Sequence, residues 1–396
     1  MANSILTPTA VTREALRVLH QKLNFVGNVN RQYDDSFAKS GAKIGDSLKI
    51  RLPNQYTVRT GAVLDVQDTS ETSTTLQIAT QKGVDLNFSS NELTLSMDDF
   101  SKRVLEPAMA VLAAAIESDA LAMRNDVYNM VDNTSAAITF AKAAEARKKL
   151  QDCLAPEDNK RHALLNTLDN ARFVDTLKGL FNPSGNISSQ YRDGSMGRAL
   201  GFDFYENTHL SAQSVGARAS YQTNAVTAQT GSSLIVDTGT GAISKGEVFT
   251  IAGVNRVHPE TKVDTGVLQQ FVVTADYAGG SGTISISPAI VASGATQNVT
   301  NGAANDKVLT FIGTASTNYG QSLFFHEDAF TFATADLVMP KGVDFAAREV
   351  YDGISMRVVR QYDINNDKFP CRLDVLYGYK TLRPELACRL ANSATA

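Results

Sequence analysis

The sequence predicts an α+β fold interrupted by a small all-β domain, and three observations predict it. An apolar stripe at helical spacing runs from Leu105 to Met130. Apolar residues alternate at period two around 48–52, 84–88, 354–359 and 373–377. From about Ala219 to Gly313 charge becomes sparse while glycine and threonine become dense. The order of the pieces matters as much as their kind. A short amphipathic arm and a two-stranded β segment come first, and both are too thin to bury their own apolar residues. Another surface must cover them, and a second copy of the chain is the expected one.

Bulk properties narrow the function classes. The chain has 396 residues, 43% of them apolar, and a formal charge of −4, which is room for two or three compact units and less basic than a dedicated nucleic-acid binder. Cys153, Cys371 and Cys388 are odd in number and widely spaced, fitting reduced thiols better than a disulfide framework or a metal motif. Residues Met1 to Val11 lack a signal-peptide pattern. The apolar run Val111 to Ile116 is far shorter than the roughly 20 residues of a membrane span. A soluble, intracellular product is expected.

Along the chain, Leu16, Leu19 and Leu23 share one face of a helix predicted over Thr12 to Leu23, with Arg13, Arg17 and Lys22 off it. A helix this short is marginal alone. The polar stretch Asn28 to Ser40 reads as a connector. Leu48, Ile50 and Leu52 then alternate with Lys49 and Arg51, and Val84, Leu86 and Phe88 form a second alternating run. The simplest reading of Lys43 to Ser90 is a long hairpin with a mobile Thr/Ser-rich tip at Asp68 to Thr75. Two strands alone are at best marginally stable in water, so the hairpin either folds back on its own domain or lies on a neighbouring subunit.

The helix predicted over Ser96 to Asn133 carries Leu105, Met109, Leu112, Ile116, Ala120, Met123, Val127 and Met130 as one stripe, with Glu117, Arg124 and Asp126 off it. Asp98 and Asp99 suit its start, and Pro107 either opens or kinks it. A methionine-bearing stripe is ordinarily packing, so its role is that of a scaffold. A second helix, Ala141 to Leu154, has a basic face of Lys142, Arg147, Lys148 and Lys149, for which solvation is a commoner reason than phosphate binding. Ala163 to Leu180 reads as helical, followed by a turn-rich loop at Asn182 to Asn186.

Within the β-rich stretch, runs at Leu234–Val236, Val248–Ile251, Phe271–Val273, Ile284–Ile286 and Val308–Phe311 are separated by turns such as Gly239-Thr240-Gly241 and Gly279-Gly280-Ser281-Gly282. This is the pattern of a small sandwich or barrel. Both its ends join the same α/β region, which marks an insertion. After it, Phe324 to Pro340 supplies core residues, and strands at Ile354–Val359 and Leu373–Tyr377 pair across the turn Asp363 to Asp367.

Three local patterns invite chemistry and fall short of it. Gly194 to Gly201 is glycine-rich but lacks the Lys-Ser/Thr of a phosphate loop. The five histidines include no zinc-type pair, and His326-Glu327-Asp328 stands by itself. No serine sits in a Gly-x-Ser-x-Gly elbow. The expectation is no catalysis, no cofactor and no metal.

Tyr191-Arg192-Asp193-Gly194 with Gly201-Phe202-Asp203, Lys245 to Val254, and Arg383-Pro384-Glu385 with the terminal Ala394-Thr395-Ala396 occur in an order that resembles tailed-bacteriophage major capsid proteins of the Hong Kong 97 fold. The variety resembled is the one with an inserted domain, as in the coat protein of a short-tailed Salmonella phage. The resemblance implies an N-terminal arm (1–40), an extended loop (41–87), a peripheral domain (88–154) with a spine helix at Ser96 to Met130, and the first part of an axial domain (155–220). It further implies an inserted β-barrel (221–313) and the remainder of the axial and peripheral domains (314–396).

It also implies assembly into hexamers and pentamers of an icosahedral shell enclosing double-stranded DNA, formed in the bacterial host cytoplasm. The implied partners are further copies of the chain, a separate scaffolding protein, a portal protein and a decoration protein, with no membrane. The insertion is shorter than in the Salmonella-type protein, and no Lys–Asn pair matches the subunit welding of some relatives. Lys49, Arg51 and Arg59 are candidates for contacts with acidic neighbours, and Leu16 and Leu19 for apolar ones; solvated strand-face charge explains the three basic residues equally well. A tail or decoration protein, a non-viral shell of the encapsulin type, and an enzyme carrying a β insertion are the alternatives.

Overall fold

The computed structural model describes residues 8–32, 47–59, 61–64, 66–67, 71–88, 105–177, 197–224, 227–351, 354–365 and 368–393. The expectations for Asp98 and Asp99, for Asn182 to Asn186, for Tyr191 to Gly194 and for Ala394 to Ala396 lie outside them. The first elements are α1 (Pro8–Lys22), β1 (Ser47–Arg51), β2 (Ser73–Gln77), β3 (Thr80–Phe88) and α2 (Glu106–Leu121). There follow β4 (Met130–Asn133), α3 (Phe140–Asp152), β5 (Arg161–Leu165), α4 (Thr167–Leu177), β6 (Arg198–Ala199), β7 (Phe202–Glu206) and β8 (Gln213–Ser214). The β-rich stretch supplies β9 (Gly231–Val236), β10 (Val248–Val257), β11 (Asp264–Val273), β12 (Gly282–Ile290) and β13 (Leu309–Phe311). The chain closes with β14 (Asn318–His326), β15 (Phe330–Ala335), β16 (Phe345–Tyr351), β17 (Ile354–Arg360), β18 (Phe369–Thr381) and β19 (Ala387–Ser393).

The chain divides into two compact units. One comprises residues 1–50, 73–122 and 330–382, the other 51–72, 123–329 and 383–396. In the first, a sheet ordered β15-β18-β17-β16 also pairs β3 with β18. Met356, Val358, Leu373 and Val375 are buried on one face, where α1 and α2 contact the unit's strands and each other.

That packing corrects the reading of the arm. Leu16 and Leu19 are 1% and 0% exposed inside their own unit, so they are not free for a neighbour. Beyond α1, Phe25 meets Phe330 edge-on at 5.5 Å. Asn30 adds a one-residue parallel bridge to β15, its N–H donating to the Phe330 carbonyl at 3.1 Å and its carbonyl accepting from the Phe332 N–H at 3.1 Å.

The hairpin differs as well. Its strands are β1 and β2, and the alternating run Val84–Phe88 belongs to β3, which pairs with β18 over nine residues. The reason is burial. Ile50, Leu76 and Ile78 cluster with Ala333, Ala335, Leu337 and Leu376, so the base of the hairpin is covered by its own unit.

Pro107 opens α2, as its missing N–H permits in a first turn. The helix stops at Leu121, earlier than the stripe predicts. A 3-10 turn covers Ala122–Asp126, and Met130–Asn133 pairs in parallel with β19. Met123, Val127 and Met130 are nevertheless buried, so the period was read correctly as burial and wrongly as helix. Pairing of a β-prone Val-Tyr-Asn-Met-Val run outweighs its weak helical preference.

Glu117, placed off the stripe, is 1% exposed, and its Oε1 accepts the Phe25 N–H at 2.7 Å. Burial pushes its carboxyl up to about 7 against that hydrogen bond. The unfolded chain loses this proton near 4.5 and the folded chain near 7, so the fold binds more protons between those values and its stability falls as pH rises through that window. The expected size is on the order of 3 kcal/mol. Melting of the wild-type monomer and of Glu117→Gln between pH 4.5 and 7.5 should show the slope in the first and its loss in the second.

In the second unit the main sheet runs β4-β19-β14-β5-β7-β6, with β8 on β14. Ala163 to Leu165, expected to be helical, lie in β5, and the helix begins only at Thr167. All three are fully buried, and hydrogen bonding to β14 and β7 on either side makes β5 an interior strand. The five predicted runs of the β-rich stretch fall in β9 to β13, ordered β13-β10-β11-β12-β9. Gln222 bridges to Val308 and Thr223 to Val236, so the segment entering the stretch joins its two edges into a barrel. Tyr221, Phe249, Ile251, Phe271, Ile284 and Ile286 fill the interior. Gly241, at φ +78°, lets the chain pass against the Ala217 carbonyl, where a Cβ would collide.

Candidate functional site

Two places among the described residues stand out, one a surface loop and the other a set of buried clamps. The first place of interest is residues 51–72. Gln67 stitches the loop across its width, Nε2 donating to the Thr57 carbonyl at 2.6 Å and Oε1 accepting the Thr57 N–H at 2.8 Å. A side-chain amide thus replaces a strand partner. Arg59 donates to the carbonyls of Gly61 and of Val63, the latter at 3.1 Å. Its charge is turned back on the loop, and what leads is apolar: Tyr56, Val58, Val63, Leu64 and Val66 are 56, 93, 84, 77 and 74% exposed. Singly scattered exposed apolar residues are ordinary, whereas five large ones are exposed here between Tyr56 and Val66.

The predicted basic residues have differing fates. Arg51 pairs with Glu71 at 3.2 Å on the same loop, Arg59 is occupied as described, and Lys49 is exposed on β1. The basic face of α3 is balanced locally: Lys142 with Glu145, Arg147 with Glu157, Lys148 with Asp152, and Lys149 donating to Gln270 Oε1.

The second place is where the barrel joins the rest of its unit. Arg218 and Glu247, 7% and 3% exposed, form a close ion pair between the entering segment and the start of β10. Glu247 Oε1 accepts the Gly216 N–H at 2.8 Å and the Ser244 N–H at 2.7 Å. Arg218 donates to the Ile312 and Gly313 carbonyls at 2.9 and 3.2 Å and lies 4.5 Å over the Phe311 ring. Burial holds the Glu247 carboxyl above its usual range even beside the arginine. Gln270 repeats the glutamine device, accepting the Met130 N–H and donating to the Met130 carbonyl, both at 2.9 Å. Arg124 and Arg389 are buried too: Arg124 holds Ser211, and Arg389 donates to the Val127 and Gly246 carbonyls at 2.7 and 2.8 Å.

Among the described residues, no cluster of three or more His, Cys, Asp or Glu is arranged to hold a metal. His326 is buried with Nε2 3.0 Å from Asp158 Oδ1, while its Nδ1 accepts the Asp328 N–H at 3.2 Å. Burial pushes the Cys371 and Cys388 thiols up to about 12, away from thiolate chemistry. No described helix is long and apolar enough to cross a membrane.

Sequence reasoning passed over Gln67, Gln270, Arg218 and Glu247. An isolated glutamine carries no local signal, Arg218 stands just before the stretch where charge is sparse, and Glu247 enters only as one residue of the Lys245 to Val254 motif.

A comparison with curated proteins gives no match. Among solved structures, a chain from Mycobacterium phage Che8 is 14% identical, with 93% of this chain and 90% of that one covered, at a TM-score of 0.46. The acid-stable capsid of Helicobacter pylori bacteriophage KHP30 is 9% identical over 94% and 90%, at 0.44. The capsid of Cyanophage P-SCSP1u is 10% identical over 90% and 85%, at 0.43. The assignment rests instead on the family model of the P22 coat protein, gene protein 5, which matches residues 7–390. A chain with a built apolar loop, buried structural clamps and that match across nearly its whole length belongs to the P22 coat protein family, as a major capsid protein of an icosahedral phage shell.

Proposed function

We propose that the chain tiles hexamers and pentamers of a Hong Kong 97-type shell around double-stranded DNA, with the 51–72 loop of each copy burying its apolar tip on the next. The observation that carries this is the exposed set Tyr56, Val58, Val63, Leu64 and Val66 on a loop stiffened by Gln67, in a chain matching a coat-protein family over residues 7–390. Many such contacts per shell make a stable whole from weak parts, because each subunit is held by several partners at once. The role is structural, not enzymatic. The barrel formed around Tyr221 to Phe311 is the inserted domain of this reading.

A separate scaffolding protein guides closure in the host cytoplasm, a portal protein occupies one vertex, and a decoration protein is a further partner. A net charge of −4 suits a wall that encloses DNA without holding it, since a basic wall would gain phosphate contacts with release of counterions. Co-expression with the scaffolding protein of the same phage, followed by electron microscopy, is expected to give uniform shells. A persistent monomer that binds a small metabolite would overturn the reading.

A further inference from the structure

We propose that the seam between the barrel and the main sheet of the second unit encloses a small inorganic anion of chloride size, held between Arg389 and Gln321. The site is independent of the 51–72 loop and concerns how the inserted barrel is fastened.

Strand register brings the two residues together. On β14 and β19, Gln321 lies opposite Ala391 and Leu323 opposite Arg389, so all four side chains share one face of the sheet. Gln321 is therefore the diagonal neighbour of Arg389, a separation that two long side chains span. The barrel covers that face: Tyr319, Ala391 and Met130 cluster with Val248 of β10 and Val272 of β11. Arg389 and Gln321 are 0% and 1% exposed there.

Their hydrogen-bonding capacity is only partly used. Arg389 directs Nη2 to the Val127 and Gly246 carbonyls at 2.7 and 2.8 Å, while its Nε and Nη1 and both amide atoms of Gln321 meet no partner among the described residues. Three of those four atoms are donors. A native interior leaves few such groups unpaired, so what sits between them must chiefly accept.

Charge decides what kind of acceptor it is. Arg124, 7% exposed, donates to the carbonyl and the hydroxyl of Ser211 at 2.6 and 2.7 Å, so every oxygen that Arg124 and Arg389 hold is neutral. No carboxylate pairs with either arginine among the described residues, and Asp126, in the same turn as Arg124, faces Lys245 at 3.9 Å. Burial first, and then the like charge of Arg124, push the Arg389 guanidinium down to about 9, which leaves it a cation at neutral pH. Two buried cations without a counter-charge are costly. Water would satisfy the donors but not the charge, whereas a monovalent anion that accepts from Arg389 Nε and Nη1 and from Gln321 Nε2 does both.

The test is thermal unfolding of the full chain with sodium gluconate exchanged for sodium chloride at constant ionic strength, since gluconate is too large to be enclosed. The midpoint should rise by about 5 °C when chloride goes from its dissociation constant to a hundredfold above it. Gln321→Glu sets a carboxylate beside Arg389 in place of the anion, so it should melt at or above the wild-type chain in gluconate and lose the chloride response. Gln321→Leu removes the amide donor and should move the response to at least tenfold higher chloride. A wild-type midpoint indifferent to chloride would mean that water fills the seam and would overturn the site. An undiminished chloride response in both variants would overturn it as well.

Discussion

Glu247→Ala is expected to destabilise the chain by about 3–5 kcal/mol, the cost of leaving a buried cation without its partner. Arg218 would keep its carbonyl contacts and its place over Phe311 but lose the only carboxylate paired with it among the described residues. The N–H groups of Gly216 and Ser244 would lose their acceptor as well. Urea unfolding of the monomer measures the loss.

The control is Arg218→Met with Glu247→Leu. Removing both charges is expected to recover most of the deficit, since apolar replacement of a buried pair is often neutral. The two orphaned N–H groups should hold back about 1 kcal/mol each. A double variant as unstable as Glu247→Ala would show that the clamp acts through those backbone bonds and not through the charge pair.

The second large effect concerns assembly with little change in folding. Converting Val58, Val63, Leu64 and Val66 together to serine should leave the monomer melt nearly unchanged, because exposed substitutions typically shift stability by no more than about 0.5 kcal/mol each. Shells should not form, as judged by sedimentation and electron microscopy. Deletion is the blunter form of the test, and the structure sets its limits. Ser73 already begins β2, and Leu76 is fully buried, so a cut from Gly61 should stop at Thr72. A cut through Thr75 would damage the fold and confuse loss of assembly with loss of stability.

These two places show how differently the sequence speaks. The strands of the β-rich stretch were legible because alternation and turn glycines are local, and the family resemblance was legible because its short motifs keep their order over the chain. The helix through Leu105 to Met130 was half legible: a stripe spaced by threes and fours records which residues are buried, and the same residues stay buried after the backbone changes to a strand at Met130. Leu16 and Leu19 are apolar as expected but buried within their own unit, because α1 is covered by α2 and by strands more than 300 residues away. Glu117 was invisible for the same reason, its hydrogen-bond donor lying 92 residues earlier. The Gln67–Thr57 stitch was hidden as well, since nothing local distinguishes Gln67 from any solvated glutamine.

The barrel's closure has a consequence for anyone who would move it. Its seam is sealed by Gln222 and Thr223, residues of the incoming polypeptide, while Tyr221 supplies part of the filling. The module therefore has no clean excision point at its first full strand, Gly231–Val236. A graft beginning there would be an open sheet with two raw edges and a hole where the tyrosine stood. A transplantable piece has to start upstream of Tyr221, so the doorway travels with the room.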